Sequence, residues 1–159
     1  MEDFEKFYNS ALRFLSYRPR SEKEVRDKLI SKKATTEIID KIIIKLKEKK
    51  FINDEEFAKW FLESRLRSKP QGIRLTEIEL RKKGIDKELI DHLIHNSEFS
   101  IQNDLEQAKK LIEKRITRYK GLDRQKIYQK LGRFLASKGF DWDTIKKSID
   151  YVQSQGERS

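Results

Sequence analysis

Cysteine is absent from the 159 residues, which excludes disulfides, thiol nucleophiles and cysteine-based zinc sites. The two prolines and six glycines are few, and the glycines (72, 84, 121, 132, 139 and 156) are scattered at corners and one tail. No Gly-x-x-x-x-Gly-Lys-Ser/Thr phosphate loop is present, so nucleotide hydrolysis is not expected. No window approaches 18 consecutive apolar residues, and the opening MEDFEKFYNS starts acidic, without a basic stretch and apolar run to read as a secretory signal. The expectation is a soluble, cytoplasmic protein without a membrane role. Histidine is nearly missing as well. Glu88, His92 and His95 share one helix, where the imidazoles suit a helix C-terminus better than a metal site. Asp141 and Asp143 read as a helix cap and a first-turn charge, not as an acid/base dyad. Neither an enzyme nor a cofactor is expected.

What is abundant is charge. Charged residues make up 40% of the chain against 36% hydrophobic ones, and 37 Lys and Arg outnumber 27 Asp and Glu for a net +10. The excess is uneven: +5 over residues 1–53, −1 over 54–100 and +6 over 101–159. The densest stretch runs from Lys109 to Arg133 and carries Lys109, Lys110, Lys114, Arg115, Arg118, Lys120, Arg124, Lys126, Lys130 and Arg133 against only Glu113 and Asp123. Charge runs on helices are usually solvated faces, but these cations lack the i,i+4 acidic partners such faces commonly carry. That favours contact with nucleic acid or another acidic surface.

The apolar residues recur at helical spacing, and nowhere does a period-2 pattern rich in Val and Thr suggest a sheet. Ser21-x-x-Glu24 is a capping box, Asn53-Asp54-Glu55-Glu56 repeats the pattern ahead of Phe57, Trp60 and Phe61, and Thr35 or Thr36 caps a stripe of Ile39, Ile42, Ile43 and Leu46. The aromatics of that second helix read as core. Lys83-Gly84-Ile85-Asp86 and Lys138-Gly139-Phe140-Asp141 read as tight helix-to-helix corners. Those two corners are copies. A slide of 51 residues pairs Pro19 with Pro70 and Leu29 with Leu80; a further slide of 55 pairs Leu80 with Leu135 and Gly84 with Gly139. The fold expected is all-α, an elongated array of three tandem three-helix, helix-turn-helix-like repeats over 1–52, 53–100 and 101–159, with a linker at Asn96–Ser100 and a short polar tail.

Arg18 and Arg20 flank Pro19 in the first interhelix turn, and Lys69, Pro70 and Gln71 occupy the matching turn of the second repeat. A row of such turns makes a phosphate-facing edge that Arg65, Arg67, Lys69 and Arg74 continue. Tyr119, beside Arg118 and Lys120, belongs with Ile112 and Ile116 in a buried stripe, with base stacking as its alternative. The candidate binding residues are therefore Arg18, Arg20, Arg65, Arg67, Lys69, Arg74, Lys109, Lys110, Lys114, Arg115, Arg118, Lys120 and Arg124.

Four segments in order, Arg18-Pro19-Arg20-Ser21-x-x-Glu24-x-x-x-Lys28-Leu29, Phe51-Ile52-Asn53-Asp54-x-x-Phe57-Ala58, Glu79-Leu80-Arg81-Lys82-Lys83-Gly84-Ile85 and Phe134-Leu135-x-x-Lys138-Gly139-Phe140, resemble the successive signatures of the RecX regulatory proteins from about residue 8 to about 152. The chain departs from that pattern at Ser137-Lys138, where a basic pair often precedes Gly-Phe. The resemblance implies a bacterial regulator without catalysis; a monomer without a cofactor is expected. Its partners would be the RecA filament and single-stranded, or double-stranded, DNA, with strand exchange, ATP hydrolysis and co-protease activity restrained. On the residues alone, an architectural DNA binder or a sequence-specific transcriptional regulator remains an alternative.

Overall fold

The computed structural model describes residues 2–95 and 101–158, with side chains over 3–95 and 104–156. The expected linker, Asn96–Ser100, lies outside the described residues. Among the described residues there is no strand. The elements are α1 (Glu2–Tyr17), α2 (Glu22–Ser31), α3 (Thr36–Glu48), α4 (Asp54–Ser68), α5 (Ile73–Lys82), α6 (Lys87–His95), α7 (Ile101–Arg115), a 3₁₀ turn (Ile116–Tyr119), α8 (Arg124–Ser137) and α9 (Trp142–Arg158).

Local chemistry accounts for most boundaries. Ser21 accepts from Glu24 N–H while the Glu24 carboxylate accepts from Ser21 N–H, a complete capping box that starts α2. Thr35 caps α3, Asn53 accepts from Glu56 N–H ahead of α4, Asp123 accepts from Lys126 N–H to start α8, and Asp141 accepts from Thr144 N–H at α9.

The second helix of each repeat ends in one and the same way. Lys33 N–H donates to Ile30 C=O at 2.9 Å and Ala34 N–H to Leu29 C=O at 3.0 Å; Gly84 and Ile85 do so to Arg81 and Leu80, and Gly139 and Phe140 to Ala136 and Leu135. These are Schellman ends, whose C′ residue must take the left-handed conformation. Its φ is 69° at Lys33, 84° at Gly84 and 88° at Gly139. Leu29, Leu80 and Leu135, the carbonyl acceptors, are fully buried at equivalent places. The first copy thus forces a lysine into a conformation that costs a non-glycine residue about 1 kcal/mol. Lys33→Gly is expected to raise the melting temperature by a degree or more, the gain being reduced by the extra freedom of glycine in the unfolded chain. A lower melting temperature would show that the left-handed strain is absorbed elsewhere.

The chain gathers into two compact units, residues 1–62 with 80–90 and residues 63–79 with 91–159, so the divide falls inside the middle helices. In the first unit, α1, α2 and α3 surround Tyr8, Ala11, Val25, Leu29, Ile39, Ile42, Ile43, Leu46 and Ile52. In the second, α7, α8 and α9 enclose Ala108, Ile112, Leu131, Leu135, Phe140, Ile145 and Ile149. Each unit contains a joint between successive repeats, built on one plan. In the first, the Ser21 hydroxyl donates to Lys83 C=O at 2.7 Å and Glu22 N–H donates to the Asp54 carboxylate at 2.9 Å. In the second, Gly72 N–H donates to Lys138 C=O at 2.8 Å and Ile73 N–H donates to the Asp104 carboxylate at 3.0 Å. Gly72 stands 51 residues after Ser21, and Asp104 stands 50 after Asp54. An aspartate from the first helix of one repeat thereby caps the second helix of the repeat before it, satisfying an N–H that the helix itself leaves orphaned.

Burial pushes the Asp104 carboxyl up to about 6, against the opposing bond from Ile73 N–H and with Asp141 and Glu77 adding repulsion. A carboxyl whose folded pKa lies above its unfolded value favours the folded state while protonated, so its contribution falls as pH rises from about 4 through about 6. Asp104→Asn keeps an acceptor for Ile73 and removes the titration. The stability of this variant relative to the parent should therefore rise between pH 4 and pH 6, by about 1 kcal/mol after solvent screening, and level off above pH 7. A difference independent of pH in denaturant melts would remove Asp104 as the titrating group.

Candidate functional site

The thirteen candidate cations divide by what they touch. Arg18 and Arg20 sit where α1 turns into α2, and both face inward. Arg18 donates to Glu24 Oε1 at 3.3 Å, pairs with Glu24 Oε2 and lies over the Trp60 ring at 5.7 Å. Arg20 donates to Phe14 C=O at 3.2 Å, stacks on the Phe14 ring at 3.8 Å, and its side chain is only 14% exposed. Burial alone would push the Glu24 carboxyl up, yet the bond from Arg18 and the N–H of Ser21, with Lys83 nearby, hold it below its usual range. The turn that looks basic in sequence is a guanidinium clamp on the α2 capping box.

Arg65 is committed in the same manner, donating from Nε and Nη2 to Glu79, which also accepts from buried Gln71. Lys69 is exposed and lies in the field of Glu79; Arg67 and Arg74 are exposed and form no ion pair among the described residues. In the third repeat, Lys109 is half-buried, 3.5 Å from Glu106 and 3.8 Å over the Tyr151 ring, so one member of the cationic run does have an acidic neighbour, at i−3. Arg115 covers the Phe134 ring at 3.8 Å and donates to the Tyr119 hydroxyl at 3.0 Å. Tyr119 is half-buried against the core, as are Ile116 and Leu111. Arg124 is exposed and donates to Gln153 at 3.1 Å.

The remaining cations point outward. Lys110, Lys114, Arg118 and Lys120 at the α7 end, and Lys126, Lys130 and Arg133 on α8, are exposed and form no ion pair among the described residues. Helix α8 itself contains no acidic residue. Unpaired exposed cations on adjacent turns make a surface of strongly positive potential that attracts phosphate and displaces its counterions.

A second basic feature escaped the reading of the sequence. An open cleft of about 490 Å³ in the first unit is lined by Lys6, Phe7, Asn9, Ser10, Arg13 and Lys32, with no acid among them. Its signal is the i, i+3/i+4, i+7 spacing of Lys6, Asn9, Ser10 and Arg13 along α1. Lys32 comes from the α2 end, and nothing in one dimension joins it to that face.

The Ser137-Lys138 corner is occupied by structure. Lys138 C=O accepts from Gly72 N–H, its ammonium lies 5.7 Å from the Phe134 ring, and the Ser137 hydroxyl donates to Phe134 C=O. His92 and His95 fall in the last turn of α6, and no group of three or more His, Asp or Glu among the described residues is placed to hold a metal ion. No helix among the described residues is long and apolar enough to cross a membrane.

Three family models match in series: the RecX first three-helix domain over residues 8–46, the second over 53–93 and the third over 102–149. The chain belongs to the RecX family. Regulatory protein RecX of Clostridium perfringens (strain 13 / Type A) is 39% identical over 150 residues, 93% of this chain and 69% of that protein. Regulatory protein RecX of Bacillus subtilis (strain 168) is 33% identical over 156 residues, 98% of this chain. The chain spans 58% of the length of that Bacillus protein. The crystal structure of RecX from Lactobacillus salivarius superposes with a TM-score of 0.83 at 31% identity, covering 96% of this chain and 97% of that one. RecX is a family of regulatory proteins, and its three three-helix domains are the all-helical repeats that the internal slides in the sequence imply.

Proposed function

We propose that this RecX-family chain binds the RecA filament on single-stranded DNA and restrains its strand exchange, ATP hydrolysis and co-protease activity. The observation that carries the reading is the outward, unpaired cation surface at the end of α7 and along acid-free α8. A filament on single-stranded DNA offers phosphate together with protein, and a chain of three repeats can engage several protomers, each contact adding through effective concentration. Arg18, Arg20 and Arg65 contribute indirectly, by fixing the turns between helices, while Lys110, Lys114, Arg118 and Lys120 carry the contact.

Titration of the protein into RecA-coated single-stranded DNA, followed by the rate of ATP hydrolysis, tests this directly. The rate is expected to fall in a saturable manner. An unchanged rate at saturating protein would overturn the reading. If the protein instead protects one short motif on random duplex, it is a sequence-specific DNA binder.

A further inference from the structure

Several described aromatic rings of this chain lie under a cation. Arg18 lies over Trp60, Lys109 over Tyr151, Arg115 over Phe134 and Lys45 over Tyr8. Exposed Tyr17 and Phe51 lie under none among the described residues, and Trp142 is a third. It opens α9, is 61% exposed, and no cation is seated over it among the described residues. Its ring is nevertheless held in place. The six-membered edge lies against α8 at Gly132, where an added Cβ would stand 3.9 Å from Cζ3. Tyr128, one turn earlier on α8, meets it edge-on at a centroid distance of 6.2 Å and 75° between planes. Tyr128 is in turn half-buried against the α7–α9 core.

We propose that Trp142, braced by Tyr128, is a stacking platform for an unpaired base of single-stranded nucleic acid. This deepens the reading given above, on which it rests: that the α7–α8 cation surface meets single-stranded DNA. Three features argue for it. An indole face left open in water is an apolar surface of large area, and an offset or parallel base is the flat partner that recovers it. The charge around it is complementary, since α8 carries Arg124, Lys126, Lys130 and Arg133 without an acid, and exposed Lys146 lies one turn along α9 from Trp142. The nearby acids are outnumbered: Asp141, which accepts from Thr144 N–H, and exposed Asp143 stand against these five cations. Finally, bracing on Gly132 and Tyr128 fixes the ring before binding, so little side-chain freedom is lost when a base arrives. Bases in a duplex have both faces covered, so the platform selects single strands.

The test uses the intact chain and oligothymidylate. Trp60→Phe leaves Trp142 as the sole indole, and its fluorescence is expected to be strongly quenched by the oligonucleotide but little by duplex at the same phosphate concentration. Trp142→Leu should weaken oligothymidylate binding about 5- to 100-fold while the slope of log K against log salt stays unchanged, because stacking releases no counterions. Trp142→Tyr should restore most of the affinity. Binding that leaves the indole emission unaltered, or a Trp142→Leu variant of parental affinity, overturns the platform and leaves the regulatory reading standing. Restraint of RecA ATP hydrolysis without any oligothymidylate binding likewise overturns only the platform. Loss of both would remove the two together.

Discussion

Reversal of Lys110, Lys114 and Arg118 to Glu is expected to lower affinity for single-stranded DNA about 100-fold at 0.1 M salt. The magnitude follows from counterion release. Each phosphate contact on a single strand contributes about 0.7 to the slope of log K against log salt, so three contacts contribute about 2 decades at 0.1 M and the slope should become shallower by about 2. All three side chains are exposed and form no ion pair among the described residues, so the substitutions cost the fold little. Melting temperatures should agree within a few degrees, and the variant should lose its effect on RecA ATP hydrolysis in proportion to its affinity. Lys109 is deliberately left out, because it packs on Tyr151 and pairs with Glu106. A triple variant with parental affinity and slope would show that this surface serves solubility, and the cleft lined by Lys6, Arg13 and Lys32 would become the place to look.

The largest effect on stability is expected from Gly72→Ala. A methyl group on Gly72 would fall inside contact distance of Gly139 C=O and 2.7 Å from Phe140 N, both backbone atoms that cannot rotate away. The two strands of backbone lie so close because Gly72 N–H donates to Lys138 C=O at the joint. Opening that joint costs the hydrogen bond, loosens the Asp104 cap on α5 and shifts the second unit's packing, which together exceed about 3 kcal/mol. The melting temperature should fall by about 6 °C or more. Ser21, at the matching place in the first joint, carries a side chain, so the two joints follow one plan with different tolerances. A Gly72→Ala variant that melts with the parent would mean that the backbone approach is not required for folding.

The repeat and its helices were legible because they rest on local rules. Ser21 and Glu24 lie within one turn of each other, the Lys83-Gly84-Ile85 corner is a short-range hydrogen-bond pattern, and Leu29, Leu80 and Leu135 recur at similar intervals with the same apolar demand. The left-handed corner that ends α2 at Lys33 was hidden, because a lysine stands where Gly84 and Gly139 mark the equivalent ends of α5 and α8. The candidate site was legible only as composition. Arg18 and Arg20 have the same charge as Lys110 and Arg118, and although Glu24 follows Arg20 at i+4, only the folded turn shows both guanidiniums brought against it rather than facing water.

By itself the sequence determined the helical class, the three-fold repetition, the caps and corners, the cationic excess of the third repeat and the resemblance to RecX, since each depends on residues close along the chain or on their sum. The tertiary structure alone decided which cations are spent inside the fold, that Asp54 and Asp104 cap helices of the preceding repeat, that Gly72 is required by a neighbouring backbone, and that Trp142 is left open beside Tyr128. The physical reason is common to all of these. Pairing, burial and close approach act in space, between residues from a few to about 70 positions apart, and a charge or a ring acquires its role only from what folding brings against it.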